Sequence, residues 1–284
     1  MSALTLHRFK DVGGFLDVAG TFLVAREAEH NLILGICSNM REAPDAFSGE
    51  PYLAVVTDGE VVVAAAIQTP PHRLVLSEVG DPAAIGILAA DVLDRDLPGV
   101  LGPVEHVRAF AEALAALGGP SSRLEVSERI FRLTTVHPPP AITGHARMAV
   151  ASDRDVVVAW TVAFMREALG DDDPTEGEAM ADRWLARRER TLYLWEDGEI
   201  VSLAGVGGPT PNGIRIGPVY TPPESRRRGY ASALVADVSQ AELDGGRRFC
   251  FLFTDLANKT SNHVYESIGY EPVRDVDVYR FETS

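Results

Sequence analysis

The order of hydrophobic and polar positions is the same in the two halves of the chain. Residues 52–71 and 191–211 each contain two apolar, β-branched runs separated by an Asp-Gly pair, which predicts a β-hairpin. A further apolar run follows each hairpin, at 72–79 and 213–221. The sheet of each half is therefore predicted to begin with a three-stranded meander.

Helical periodicity follows each meander, at 81–96 in the first half and 226–246 in the second. The second of these segments has one apolar face at i, i+3, i+4 and i+7, formed by Ala231, Leu234, Val235 and Val238. An apolar stretch, another helix and a closing strand complete each half, with the closing strands at 128–136 and 276–282. This order predicts the α/β (α+β) class, with a mixed, mostly antiparallel sheet flanked by helices in each half.

The self-similarity is explained most simply by two tandem copies of one α/β unit. The prolines of "VHPPPAITGH" (136–145) interrupt regular structure between the copies, so we expect domains at residues 1–138 and 145–284. Two unrelated α/β domains with a similar order of elements are the alternative.

Charge and hydropathy exclude some classes of function. The formal net charge is −15 and is spread evenly, with 10 Lys and Arg against 18 Asp and Glu in residues 1–140, and 16 against 23 in the rest. Because neither half is basic, we expect no binding to nucleic acid. No run approaches the roughly 20 apolar residues of a membrane helix, so we expect no membrane partner.

The cysteines and the first residues favour a cytoplasmic protein. Cys37 and Cys250 lie in apolar surroundings and lack metal-ligand spacing, so we expect buried, reduced thiols and no metal. The N-terminal sequence lacks the charged-then-apolar order of a signal peptide. The oligomeric state is not evident from the sequence.

Three consecutive arginines precede the helix of the second half. Because Pro222 and Pro223 stop the preceding strand, Arg226, Arg227 and Arg228 lie in a tight loop that ends at the helix N-terminus. Cations are unfavourable at that end of a helix unless an anion lies beside them, and the first backbone N–H groups there bind phosphate readily. The pattern predicts an anion site, with a solvated charged turn as the alternative.

The same stretch resembles the signature of the GCN5-related N-acetyltransferase (GNAT) family. That signature is Arg or Gln, two residues, Gly, one residue, then Gly or Ala, between a strand and a helix, and residues 226–231 ("RRRGYA") fit it. The resemblance implies that acetyl-CoA is the co-substrate, with its pyrophosphate on the loop and its pantetheine arm along the strand. The residues it assigns to cofactor binding are Val219, Tyr220, Thr221, Arg226, Arg227, Arg228, Gly229, Tyr230, Ala231 and Ser232. It covers about 145–284 well and 1–140 weakly.

A second set of residues lies on the helix predicted to begin near Asn258. Asn258, Asn262 and Tyr265 fall at i, i+4 and i+7 on one face, opposite an apolar face. The resemblance implies that both asparagines contact the cofactor and that Tyr265 is the general acid for the leaving thiolate. In the alternative interpretation, Asn258 only caps the helix and Tyr265 is half-buried packing.

The first half lacks this chemistry. Asp81 stands where the repeat would place the arginines, and the helix of residues 103–119 has no tyrosine. We therefore expect a degenerate copy without the coenzyme A loop, and we expect the second copy to be active.

The function expected is acetyl transfer to the amine of a small molecule or peptide. A non-catalytic sensor of acyl-CoA, and an interaction module that uses the arginines, are the alternatives. Glu167 and Glu199 are two of many carboxylates that could serve as the base, and the sequence does not choose between them. The acidic run at 170–178 is either an attractor for a cationic amine or an ordinary solvated loop.

Overall fold

A computed structural model describes residues 4–44, 47, 49–170, 173–188 and 190–282. It divides into two compact units, which are described separately. Unit 1 comprises Met1–Phe131, Phe253–Asn258 and Pro272–Ser284, and unit 2 comprises Arg132–Leu252 and Lys259–Glu271. These units differ from the expected domains 1–138 and 145–284 because the closing strand of the chain lies in unit 1.

Unit 1 has a mixed sheet in which one parallel pair interrupts antiparallel pairing. Its strands are β1 (Leu4–Arg8), β2 (Tyr52–Asp58), β3 (Val61–Gln68), β4 (Leu74–Leu76), β5 (Gly99–Pro103), β6 (Ser122–Leu133, of which all but the last two residues belong to this unit) and the last strand, β12 (Glu271–Phe281). The pair β4–β5 is parallel, and the pairs β1–β2, β2–β3, β3–β4 and β5–β12 are antiparallel.

The helices of unit 1 cover both faces of this sheet. They are α1 (Val12–Ala25), α2 (Asn31–Glu42), α3 (Ala83–Asp91) and α4 (Val104–Ala116). Alternate residues of β2 enter two different apolar cores, with Ala54 and Val56 on the side of α3 and α4, and Leu53 and Val55 on the side of α1 and α2. Burial on both faces explains why this strand is apolar almost throughout.

Unit 2 repeats the plan of meander, parallel crossover and helices. Its strands are β7 (His145–Met148), β8 (Arg190–Asp197), β9 (Glu199–Gly207), β10 (Gly213–Tyr220) and the first part of β11 (Phe249–Asp255). Its helices are α5 (Arg154–Phe164), which continues as a single wide turn over Met165–Leu169, α6 (Pro174–Leu185), α7 (Tyr230–Asp244) and α8 (Lys259–Ser267). The strands β7 to β10 pair antiparallel, and β10–β11 is parallel.

Both predicted Asp-Gly hairpins are present. Gly59 closes β2–β3 with φ 60°, and Gly198 closes β8–β9 with φ 76°. A side chain is strained in this left-handed region, which is why glycine follows aspartate in both turns. The predicted fold class, a mixed and mostly antiparallel sheet flanked by helices, is confirmed.

The strands β10 and β11 separate soon after they meet. Their parallel register covers Gly213–Arg215 against Phe249–Phe251, and no further pair between them is found in the described residues. On its other side β10 pairs with β9, with a register shift between Ile216 and Val219. Arg190 donates a hydrogen bond to the carbonyl of Gly217 inside this bulge. The last residues of β10 therefore have one edge that β11 does not occupy.

Both cysteines are buried, as predicted. Burial raises the pKa of the Cys37 and Cys250 thiols to about 12, so both are protonated at neutral pH. None of the helices in the described residues is long and apolar enough to cross a membrane.

Candidate active site

The N-terminus of α7 is the centre of the candidate site. Gly229 stands at the N-cap with φ 88°, and no side chain in the described part of the chain caps the first turn. Arg227 also has positive φ, at 63°. Residues in this conformation turn successive backbone N–H groups toward one side, which forms an anion-binding concavity at the positive end of the helix dipole. This backbone geometry is compatible with the predicted anion loop, which stays a prediction.

The three arginines of the loop differ in their contacts, although all are exposed. Arg226 donates from Nε to the carbonyl of Thr221 (2.8 Å) and from Nη2 to Glu167 (2.6 Å). The guanidinium carbon of Arg228 lies 4.9 Å from the centroid of the Tyr230 ring. The guanidinium groups of Arg226 and Arg228 are thus placed by neighbours at the mouth of the loop.

Tyr230 anchors the loop through its side chain. The ring is buried, and its hydroxyl donates to Asp197 at 2.6 Å. The same carboxylate accepts from Thr143, and these two hydrogen bonds, that of Tyr230 first, lower the pKa of Asp197. The side chain of Tyr230 is occupied by this contact, which leaves its backbone N–H as the group available to a ligand.

The strand residues assigned to the pantetheine arm lie at the end of β10. Val219 and Tyr220 pair with Ala204 and Leu203 of β9, so their free edge is the one that faces away from β9. The carbonyl of Tyr220 accepts from Ser202 at 3.2 Å. Thr221 directly follows the strand and shares a hydrogen bond of 2.8 Å with the same serine. An unpaired strand edge is the feature that binds an extended ligand through backbone groups.

Tyr265 lies on α8 and is buried. Its ring meets that of Tyr270 edge to face, with centroids 6.0 Å apart. Burial raises the pKa of the Tyr265 hydroxyl to about 12, so the group keeps its proton across the physiological range. In the described part of the chain its hydroxyl has no hydrogen-bond partner, whereas that of Tyr270 shares one with Ser239.

The two asparagines have different surroundings. Asn262 lies one turn before Tyr265 on α8 and is half-buried. Asn258 is exposed, precedes α8 by one residue, belongs to unit 1, and donates its backbone N–H to the carbonyl of Asp255. The structure therefore brings Asn262 and Tyr265 together on one helix and leaves Asn258 outside it.

The contacts of two groups of the site could not be predicted from local sequence. Glu167 lies on the wide turn after α5 and accepts both from Arg226 and from the Tyr220 hydroxyl, at 3.1 Å. Asp197 belongs to a hairpin, and its role at the loop depends on the fold. Of the acidic run, Asp171 and Asp172 lie outside the described residues, and Asp173 caps α6 by accepting from the N–H of Thr175. Glu199 opens β9 in the hairpin.

The corresponding helix of unit 1 is built differently. At the start of α3, the carboxylate of Asp81 accepts from the N–H of Ala83 at 2.9 Å. Just after β4, the backbone N–H of Glu78 donates to His30 at 3.1 Å. The Glu78 side chain pairs with Arg274 at 2.8 Å and with His106 at 3.2 Å. Groups that could bind a ligand here already bind one another.

The net charge near Glu78 is balanced by this network. Burial acts to raise the pKa of the Glu78 carboxyl, but the hydrogen bond from His106 and the charge of Arg274 outweigh it, and the pKa is lowered. Glu78, Glu105 and His106 have donor atoms within 4.8 Å of one another. The guanidinium of Arg274 contacts both carboxylates and supplies the positive charge between them.

Residues 154–270 match the family described as Acetyltransferase (GNAT) family. The chain contains a GNAT acetyltransferase domain. The GNAT domain is similar to the aminoglycoside N(6')-acetyltransferase type 1 of Serratia marcescens, with 29% identity over 144 residues, which are 47% of this chain and 97% of that protein. The family resemblance expected from the loop is thus confirmed.

Two solved structures resemble the whole chain. A tandem GNAT protein from the clavulanic acid biosynthesis pathway has a TM-score of 0.60 and 15% identity, covering 98% of this chain and 97% of its own. A GCN5-related N-acetyltransferase from Sphaerobacter thermophilus has a TM-score of 0.62 and 18% identity, covering 98% and 95%. At these identities the likeness concerns the fold, which is that of tandem GNAT proteins.

The residues of unit 2 fit the co-substrate of this family, acetyl-CoA. The uncapped first turn of α7 and the positive φ at Gly229 suit a pyrophosphate. A Cβ at Gly229 would lie 3.4 Å from Ile142, an ordinary van der Waals distance, so it is the positive φ that favours glycine at this position. The arginines supply the positive charge that such an anion needs. The cofactor-binding roles of the individual residues remain predictions.

Proposed function

We propose that the GNAT domain transfers the acetyl group of acetyl-CoA to an amine, and that the N-terminal copy (residues 1–138) does not bind the cofactor. The observation that carries the proposal is the uncapped N-terminus of α7 beside the free edge of β10. Arg226–Ser232 would hold the pyrophosphate, Val219–Thr221 the pantetheine arm, and Asn258 and Asn262 further parts of the cofactor. Bound acetyl-CoA would supply an activated thioester.

The remaining steps belong to side chains and backbone of the chain itself. A backbone N–H near Val219 is the proposed donor to the carbonyl oxygen as negative charge develops there. Tyr265 is the proposed acid, because its hydroxyl is protonated and has no hydrogen-bond partner in the described residues. The acceptor amine must be neutral when it attacks, and the group that takes its proton is not assigned.

The acceptor is an amine of a small molecule or peptide. Because one relative is an aminoglycoside acetyltransferase, aminoglycosides are the first compounds to screen, followed by polyamines, amino acids and short peptides. Formation of free thiol with each amine measures turnover.

The first experiment is a calorimetric titration with acetyl-CoA, beside desulfo-CoA and ATP. We expect one equivalent of acetyl-CoA per chain and much weaker binding of ATP. Two equivalents would show that the N-terminal copy also binds the cofactor. No binding of acetyl-CoA would reject the proposal.

A sensor that binds acyl-CoA without turnover is the second candidate. It is favoured if acetyl-CoA binds, no amine in the screen yields free thiol, and Tyr265→Phe leaves binding unchanged.

A further inference from the structure

One contact joins the end of the α5 segment to the first residue of the anion loop. The carboxylate of Glu167 accepts from Arg226 at one oxygen (2.6 Å) and from the Tyr220 hydroxyl at the other (3.1 Å). The guanidinium carbon of Arg226 lies 5.8 Å from the centroid of the Tyr220 ring, and the ring of Trp160 lies 6.0 Å away on centroids. One carboxylate thus holds two residues that the cofactor is predicted to contact.

The ion pair is of the kind that a stronger anion displaces. The side chains of Arg226 and Glu167 are 42% and 44% exposed, and pairs so exposed to water are weak. The pyrophosphate of coenzyme A carries a negative charge on each of its phosphates, hence more charge in total than a carboxylate, and it accepts both arms of a guanidinium. A pyrophosphate at the N-terminus of α7 would therefore displace the Glu167 carboxylate from Arg226.

We propose that Glu167 and the pyrophosphate of acetyl-CoA compete for Arg226, and that the carboxylate released in this way binds an ammonium group of the acceptor. This inference depends on the proposed function. Before cofactor binding, Arg226 neutralises Glu167, so the carboxylate has little attraction for a cation. Once the pyrophosphate binds Arg226, the Glu167 carboxylate retains only the hydrogen bond from the neutral Tyr220 hydroxyl. Its negative charge is then available to a cation.

The inference also specifies the acceptor class. The amine that attacks must be neutral, so the ammonium held by Glu167 is a second amine of the same molecule. The acceptor is therefore expected to carry at least two amines, as aminoglycosides and polyamines do. A monoamine would gain nothing from this carboxylate.

The competition is tested by calorimetric titration of acetyl-CoA into the wild type, Glu167→Gln and Glu224→Gln. Glu224 precedes Arg226 by two residues, is exposed and makes no ion pair with Arg226 in the described residues. Glu167→Gln should bind acetyl-CoA about threefold more tightly, the size expected for loss of an exposed competing ion pair. Glu224→Gln should stay within about a factor of 1.5 of the wild type, as screening by solvent predicts.

Each outcome of this titration has one meaning. Equal or weaker binding by Glu167→Gln overturns the competition, as does an equal gain in both variants, which would reflect net charge alone. Absence of binding by the wild type rejects the proposed function instead. A gain in affinity cannot arise from partial unfolding, so a positive result does not depend on the variant's stability.

The acceptor role is tested with kanamycin, spermidine and the monoamine benzylamine. With saturating acetyl-CoA, Glu167→Gln should raise KM for kanamycin and spermidine about tenfold, the value of one charge-assisted contact, and should change kcat little. KM for benzylamine should not change. The acceptor class is overturned if the KM for kanamycin and spermidine is equal in the wild type and the variant. It is also overturned if the wild type turns over neither kanamycin nor spermidine.

Discussion

The helices α3 and α7 follow corresponding strands of the two units, yet their first turns have opposite character. The carboxylate of Asp81 accepts from an N–H of α3, whereas Gly229 leaves the first turn of α7 without a side-chain cap. A capped turn is stable by itself, and an uncapped turn beside three arginines is suited to an anion. Under the proposed function, this difference would make one copy a scaffold and the other a binding site.

The strand edges that precede α3 and α7 also differ between the two units. In unit 1 the N–H of Glu78 donates to His30, and the Glu78 carboxylate is held by Arg274 and His106. In unit 2 the matching edge of β10 has no partner strand beyond Arg215 in the described residues. In unit 1, the polar groups at this edge are thus already bonded to one another.

The substitution Gly229→Glu should have the largest effect. It places a side chain in the left-handed region and a carboxylate where the pyrophosphate is proposed to lie, so affinity for acetyl-CoA should fall about a thousandfold. Calorimetry measures the loss. Gly59→Glu, at a positive φ in unit 1, is the matched control and should bind normally. Near-normal binding by Gly229→Glu would move the anion site away from this loop.

The substitution Tyr265→Phe should lower kcat about a hundredfold, a typical value for loss of a general acid, and should change affinity for acetyl-CoA less than twofold. Tyr270→Phe is the control, because Tyr270 lies edge to face with Tyr265 but its hydroxyl bonds Ser239. Tyr270→Phe should keep the kcat of the wild type and lower the free energy of unfolding. Equal losses of cofactor affinity in both variants would contradict the role of Tyr265 as an acid.

The pH dependence of Tyr265 has a defined sign. Burial raises its pKa to about 12, so the proton required of the acid is present at all lower pH values. The kcat profile should therefore show no fall from this group between about pH 7 and 10, the ordinary tyrosine range. A wild-type fall near pH 10 that Tyr265→Phe removes would show that the hydroxyl is not shielded.

The substitution Glu78→Gln should destabilise unit 1 by about 1–2 kcal/mol, since Glu78 is buried but Arg274 and Arg26 are partly exposed. The pKa of Glu78 is lowered, so its stabilisation is present above the ordinary carboxyl pKa and is lost as the pH falls. Urea unfolding should show the difference from wild type shrinking from pH 7 to pH 3. Glu60→Gln, at an exposed turn, should cost nothing. A difference independent of pH would rule out the ion pairs as its source.

The smallest effect is expected for Asp81→Ala. Loss of the cap should cost about 1 kcal/mol in the free energy of unfolding. The number of acetyl-CoA equivalents should stay at one, because the Glu78 network would remain. Binding of a second equivalent of acetyl-CoA would show that the Asp81 cap alone prevents the first copy from binding the cofactor.

Local signals in the sequence predicted much of this structure. Asp-Gly pairs located both hairpins, since the turn itself requires glycine, and the order of strands and helices predicted the mixed sheet. Asp81 is also the basis of the prediction that the first half lacks the anion loop, which stays a prediction. These features depend on residues close together in the chain.

Contacts between residues far apart in the chain could not be predicted from the sequence. Arg226 and Glu167 are 59 positions apart, and nothing in the pattern of either segment links them. The donation from Glu78 to His30 spans 48 positions. The place of the last strand was also not predicted, because an apolar strand pattern does not specify which neighbour it joins.

The position of β12 determines when unit 1 can be completed. Val276–Arg280 pair with Gly99–Pro103, so everything between β5 and β12 must be synthesised before β5 gains this neighbour. Until then the edge of β5 exposes unpaired backbone, which is the state in which strands pair with other chains. Expression of residues 1–138 alone would keep that edge open permanently. Strand β12 therefore protects the edge of β5 in unit 1 from pairing with other chains.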